Sequence, residues 1–234
     1  MDRISILKDI LLELFFPSKC VFCGTYLEGY ICPKCLKKLD FPKNYCILCG
    51  APLTFPENIC YNCKKGENLI DGLELLGYYQ GLWETLIFKF KFENKPYLAR
   101  TFAHIGREKI EKRNWNIDFI TFVPMWKEKE LKRGYNQAEI LANFLSKELN
   151  VNFINTLRQI KPTLDQKSLG YKDRFENVKN IYKLNSKVNI EGKNILLVDD
   201  VYTTGATLKE CAKELKKGKA NKVFSFVICR TLLG

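Results

Sequence analysis

At 234 residues, 46% hydrophobic and 27% charged, the chain has length for one or two domains and apolar residues enough to bury a core. Disorder as the dominant state is excluded. Lys and Arg (38) outnumber Asp and Glu (26), leaving +12, which favours polyanionic or phosphorylated partners; a single histidine, His104, excludes a histidine pair or an imidazole relay.

The first predicted element is Ile4–Phe16, where Ile4, Leu7, Leu11, Leu14 and Phe15 recur at helical spacing. Lys8, Asp9 and Glu13 interrupt the run, and it is shorter than the roughly 20 residues a membrane helix needs. No small-residue cleavage site follows, so a signal peptide is not expected either. The expectation is an amphipathic helix docked on the protein's own body, in a cytoplasmic chain without a transmembrane segment.

Eight of the ten cysteines lie within the first 63 residues, as four CxxC knuckles: Cys20/Cys23, Cys32/Cys35, Cys46/Cys49 and Cys60/Cys63. One CxxC turn aims two thiolates at a point, and two turns complete a tetrahedral cage for zinc. Gly24 and Gly50 directly follow a knuckle, where a turn often needs positive φ. Disulfides would require an oxidising compartment that nothing here signals. A redox CxxC usually stands singly. Rubredoxin-like iron remains open, since thiolate geometry alone does not choose the metal. Two structural Zn²⁺ ions are expected, with sequential pairing of the knuckles the simplest arrangement and a cross-brace the alternative. Eight thiolates and two Zn²⁺ carry a net charge of −4, which brings +12 down to +8. The basic surplus therefore belongs to the remainder of the chain.

Lys64–Asn68 is a polar break with a glycine, which divides the chain into a ribbon module at 1–66 and a second domain at 67–234. Beyond it the pattern predicts a strand at Leu73–Tyr79, a helical stretch at Trp83–Phe92 and a helix at Leu98–Lys112. A buried strand at Phe119–Pro124 and an amphipathic helix at Gln137–Leu149 follow. The last elements are a buried strand at Ile195–Val198, a helix at Leu208–Leu215 and a strand at Val223–Cys229. Such alternation argues for an open, mostly parallel α/β sheet. Cys211 and Cys229 fall on apolar faces and read as inert core residues.

Ile195–Thr207, ILLVDDVYTTGAT, is the most informative stretch: an apolar strand, two acids, a threonine-rich loop with a glycine, then a helix. Ligands of open α/β sheets bind outside the carboxyl ends of the strands. A loop entering a helix offers unpaired N–H groups and the positive end of the helix dipole, a cradle for phosphate. Thr203, Thr204 and Thr207 add hydroxyls, and Gly205 lets the backbone approach. Asp199 and Asp200 suit sugar hydroxyls or a Mg²⁺ ion. The GxxxxGK[ST] of a P-loop is absent.

Asp199-Asp200-Val201-Tyr202-Thr203-Thr204-Gly205-Ala206-Thr207 resembles the phosphoribosyl pyrophosphate (PRPP) signature of type I phosphoribosyltransferases. With the cysteine knuckles, Val123-Pro124, Arg133-Gly134-Tyr135-Asn136-Gln137 and Thr163, Gln166, Leu169, Arg174 and Asn177, the chain resembles the ComF family of competence proteins. The likeness runs from about Leu14 to Arg230. Tyr135 stands where the family often has Phe, and Lys219 interrupts a usual Gly-Ala pair. The resemblance implies a phosphoribosyltransferase-like sheet with helices on both faces, joined to a double zinc ribbon. It further implies that the two acids bind ribose hydroxyls, with Mg²⁺ accompanying PRPP, and that the threonine-glycine loop binds the 5′-phosphate. Arg133 would meet the pyrophosphate, and a mobile flap spanning Thr163–Arg174, including Gln166 and Arg174, would close over the site.

Two classes of function follow. A ligand-gated, zinc-containing competence protein would handle incoming single-stranded DNA together with DNA-uptake machinery. Lys213, Lys216, Lys217, Lys219 and Lys222 would then supply charge, and Phe88, Phe90 and Phe92 beside Lys89 and Lys91 would stack on bases or else form a core face. Alternatively, a Mg²⁺-dependent phosphoribosyltransferase would act in nucleotide metabolism, for which no acceptor-base pocket is legible. An electron carrier with rubredoxin-like iron would leave the acidic-threonine loop idle.

Overall fold

A computed structural model describes residues 18–27, 29–54, 57–163 and 176–232. The expected helix at Ile4–Phe16 and the flap residues Gln166, Leu169 and Arg174 lie outside them. The chain forms two compact units, 1–40 and 41–234, so the break expected at 66 falls inside the larger one. The second pair of knuckles is part of the unit that holds the sheet.

In the first unit a bridge between Lys19 and Tyr26 closes the first knuckle turn. Helix α1 (Pro33–Leu36) carries the second, with Cys32 as N-cap and Pro33 at its first position, where a missing N–H costs nothing. The larger unit repeats the scheme. Tyr45 and Pro52 form the bridge, and α2 (Tyr61–Lys65) starts from Cys60.

The sheet follows. In chain order come β1 (Gly72–Tyr78), α3 (Gly81–Phe92), α4 (Leu98–Glu111), β2 (Phe119–Phe122), α5 (Lys127–Arg133), α6 (Gln137–Leu149) and β3 (Asn152–Phe153). A hairpin of β4 (Leu157–Gln159) and β5 (Tyr182–Leu184) precedes β6 (Asn194–Tyr202), α7 (Ala206–Lys217) and β7 (Lys222–Arg230). The five principal strands lie in the order β1-β7-β6-β2-β3, every neighbouring pair parallel. Both faces are covered, which is why Ile195–Val198 is a continuous apolar run rather than an alternating one. Leu208, Cys211 and Leu215 of α7 join Ile195, Leu197, Val223 and Val227 in one layer. Helices α3, α4 and α6 cover the other face, where Phe90 and Phe102 meet edge to face at 5.5 Å. Cys211 and Cys229 are fully buried, as expected of inert core thiols.

Two local features shape the site. The segment after Pro124 forms helix α5, because Lys127–Arg133 is composed of good helix formers; Gly134 ends it at φ +87. Strand β6 also runs longer than expected, pairing with β7 as far as Tyr202–Arg230 while its pairing with β2 stops at Val198. Pro124 explains the asymmetry, since it has no N–H with which to continue the ladder. The two strands therefore part at Asp199 and Asp200.

Candidate metal centres and phosphate-binding site

Within each cysteine cluster, Cys20/Cys23/Cys32/Cys35 and Cys46/Cys49/Cys60/Cys63, the four sulfur atoms lie within 4.8 Å of one another. The pairing is thus sequential. Sulfur separations of 3.6 Å (Cys23–Cys32) and 3.7 Å (Cys49–Cys60) match the roughly 3.8 Å edge of a tetrahedron built on Zn–S bonds of about 2.3 Å. All ten cysteines are free. Backbone N–H groups of Cys32 and Cys35 donate at 3.4 Å to the sulfurs of Cys20 and Cys32, which favours thiolates. The hydrogen bond between Cys46 and Cys49 lowers the Cys46 thiol and raises that of Cys49. Soft sulfurs grouped four to a site at these separations fit structural zinc in both clusters.

Asp199 and Asp200 stand where β6 has left β2. The Asp200 N–H donates to the Asp199 carboxylate at 2.8 Å. Burial, and then the charge of Asp200, push Asp199 up to about 7, against that N–H and Lys91. The Lys91 ammonium lies 2.8 Å from the Asp200 carboxylate. After Tyr202 the chain turns into α7 through Thr203, Thr204 and Gly205. The Thr204 hydroxyl accepts from the Ala206 N–H at 3.3 Å, and Gly205 is the N-cap in the left-handed region at φ +79. A Cβ on Gly205 would lie 2.1 Å from the Tyr202 hydroxyl oxygen, so only glycine fits. The first-turn N–H groups of α7 have no intrahelical partner and carry the positive end of the dipole. The structure brings Asp199, Asp200, Thr203, Thr204 and Thr207 to one strand end and one helix start. The Val201 side chain is half-buried; Tyr202 and Ala206 are buried.

Arg133 is not among them by direct contact. Its guanidinium donates to Gln137 at 2.9 Å and lies 5.4 Å over the Phe92 ring, one residue along α3 from Lys91. Asn136, buried, caps α6 by accepting from the Ala138 N–H and donates to the Val123 carbonyl at 3.1 Å, fixing that helix to the end of β2. Sequence reasoning missed Lys91 as a partner of the acids. The signal was available: Lys91 lies four residues after the buried Ile87, and a lysine turned inward on a helix requires an anion. The Phe/Lys alternation resolves into a mixture, with Phe90 in the core and Phe88 and Phe92 about half exposed and 5.3 Å apart.

A double zinc ribbon domain is matched over residues 11–65 and a phosphoribosyl transferase domain over 131–232. Competence protein F of Haemophilus influenzae is 36% identical over 214 residues, covering 87% of this chain and 93% of that protein. Competence protein ComFC of Bacillus subtilis is 30% identical, covering 86% and 83%. DNA utilization protein YhgH of Escherichia coli K12 is 28% identical, covering 94% and 100%.

Proposed function

The chain belongs to the ComF family of competence proteins, and on that premise we propose that its strand-end loop binds PRPP and that the protein handles incoming single-stranded DNA in the cytoplasm. The observation that carries the ligand is the sequence of groups along Asp199–Thr207: two carboxylates, then hydroxyls, a glycine and a helix start. Carboxylates accept hydrogen bonds from the ribose hydroxyls, while loop N–H groups and threonine hydroxyls hold the 5′-phosphate. Asp199 and Asp200 are also the oxygen donors that would hold a Mg²⁺ ion, whose chemistry would be to neutralise pyrophosphate charge. Lys91 and Arg133 supply fixed positive charge on the same side.

The flap containing Gln166 and Arg174 belongs to this proposal through the family resemblance. So do PRPP as the particular ribose phosphate and the uptake machinery as partner. For DNA, support comes from the names of the relatives, two competence proteins and a DNA utilization protein.

Calorimetric titration of the zinc-loaded protein with PRPP and Mg²⁺ tests the ligand. Asp199→Asn with Asp200→Asn should weaken binding at least tenfold with the circular dichroism unchanged. Unaltered affinity would overturn the assignment of the acids. Pyrophosphate release in the same mixture would favour the transferase reading over the binding module.

A further inference from the structure

The second cysteine cluster grips the sheet from an edge. The Leu73 N–H of edge strand β1 donates to the Ile47 carbonyl at 2.6 Å, and Cys49 packs against the core layer beneath α7. Gly50, at φ +72, sits where a Cβ would be 3.0 Å from Leu73 and 3.4 Å from Arg230. Arg230, the last residue of β7, is only 8% exposed and donates to the Cys49 carbonyl oxygen. Its guanidinium lies 4.7 Å over the Tyr202 ring. The Tyr202 hydroxyl in turn fills the space beneath Gly205, and the Thr231 N–H clasps the Tyr202 carbonyl at 2.9 Å. One unbroken chain of contacts thus runs from a knuckle of the second ribbon to the threonine-glycine loop.

Arg230 also poses an electrostatic question. Among the described residues no carboxylate forms an ion pair with it, and its Nε is buried without a hydrogen-bond partner. A buried guanidinium needs an opposing charge. Four thiolates around one divalent ion carry a net charge of −2, and the Cys49 carbonyl to which Arg230 donates belongs to one of those four ligands. An emptied cluster would release the knuckle that holds the Cys49 carbonyl against Arg230. Arg230 would then be driven toward water and away from Tyr202.

We infer that the second zinc site is a buttress of the ribose-phosphate loop, with Arg230 as the positioning residue, so that zinc occupancy at Cys46/Cys49/Cys60/Cys63 and ligand occupancy at Thr203–Thr207 strengthen one another. This rests on the ribose-phosphate reading of that loop. Linkage requires the effect to be reciprocal: ligand must protect the zinc as much as zinc favours the ligand.

The test measures zinc release from the full-length zinc-loaded chain to a chromophoric chelator, with and without PRPP and Mg²⁺. PRPP should slow release of one of the two zinc ions by about fivefold or more. A Cys20→Ser, Cys23→Ser variant should retain the protected ion, assigning it to the second cluster. Arg230→Met should load both zinc ions yet reduce the protection below twofold, and Arg230→Lys should restore part of it. Should Arg230→Met fail to fold, partial zinc removal from the unaltered protein must weaken PRPP affinity by the same factor as the protection. If PRPP binds by calorimetry but neither release rate changes, the buttress is overturned and the ligand reading stands. If PRPP does not bind the zinc-loaded protein, both fall.

Discussion

The acid pair on β6 shows how one backbone position can make a carboxylate costly and useful together. Asp199 is pushed up to about 7 by burial and by Asp200, so the folded chain holds a proton that the unfolded chain, at about 3.9, has already released. The folded state therefore binds more protons between about pH 4 and 7, and its stability falls as pH rises through that window. Asp199→Asn removes the penalty. The ligand-free variant should be about 1–3 kcal/mol more stable than the parent at pH 8 and indistinguishable from it at pH 4, read from denaturant midpoints at both values. Equal stability at pH 8 would mean that Asp199 is ionised without cost. Lys91 faces the neighbouring acid, its ammonium 2.8 Å from the Asp200 carboxylate.

Among elements, β1 is the strand whose open edge needs cover, and the second ribbon supplies it. Glu74 on that strand is buried, accepting from Lys109 at 3.2 Å, from Arg113 at 2.6 Å and from the Tyr45 hydroxyl of the ribbon. Arg113 also donates to Tyr45 at 2.8 Å. These three side-chain donors on one carboxylate tie ribbon, strand and α4 together. Glu74→Ala leaves two cations and a phenol facing each other without their acceptor and should cost about 3–5 kcal/mol in chemical denaturation. A loss below about 1 kcal/mol would place the ribbon's attachment in its apolar contacts instead. Glu74→Gln, which keeps the shape and loses the charge, should fall between.

For the molecule as a whole, the sheet sorts the basic residues into two groups that look alike in the sequence. Lys213–Lys222 spans the end of α7 and the start of β7, hence the amino edge of the sheet, whereas Lys127–Arg133 follows β2 and lies at the carboxyl edge with the acid pair. The first group is largely spent locally: Lys216 pairs with Asp71 at 2.8 Å, Lys219 with Glu191 at 2.9 Å, Lys213 with Glu210 at 3.5 Å, and Lys217 with Glu214. Lys127 and Lys132 are exposed and form no ion pair among the described residues. If single-stranded DNA follows the carboxyl edge, Lys127→Ala with Lys132→Ala should flatten the slope of log affinity against log salt by about 1.4, at roughly 0.7 per phosphate contact. Lys216→Ala with Lys217→Ala should leave the slope nearly unchanged. The opposite ranking would move the DNA path to the amino edge.

The sequence by itself determined the chemistry that depends on neighbours in the chain. Thiolates three residues apart and carboxylates followed by a threonine-glycine turn are local patterns, so both cages and the strand-end loop were legible, as were the apolar runs of the sheet. Tertiary structure decided whatever depends on residues brought together from afar. Lys91 meets Asp200 across more than a hundred positions because α3 and β6 converge at one end of the sheet. Arg133, the last residue of α5, turns to Phe92 and Gln137 instead of the threonine-glycine loop. Cys49 and Arg230 meet because an edge strand needs cover and the second ribbon lies close enough to give it. Spacing along the chain reports local geometry; a charge buried at a strand end takes its partner from whichever element the packing delivers there.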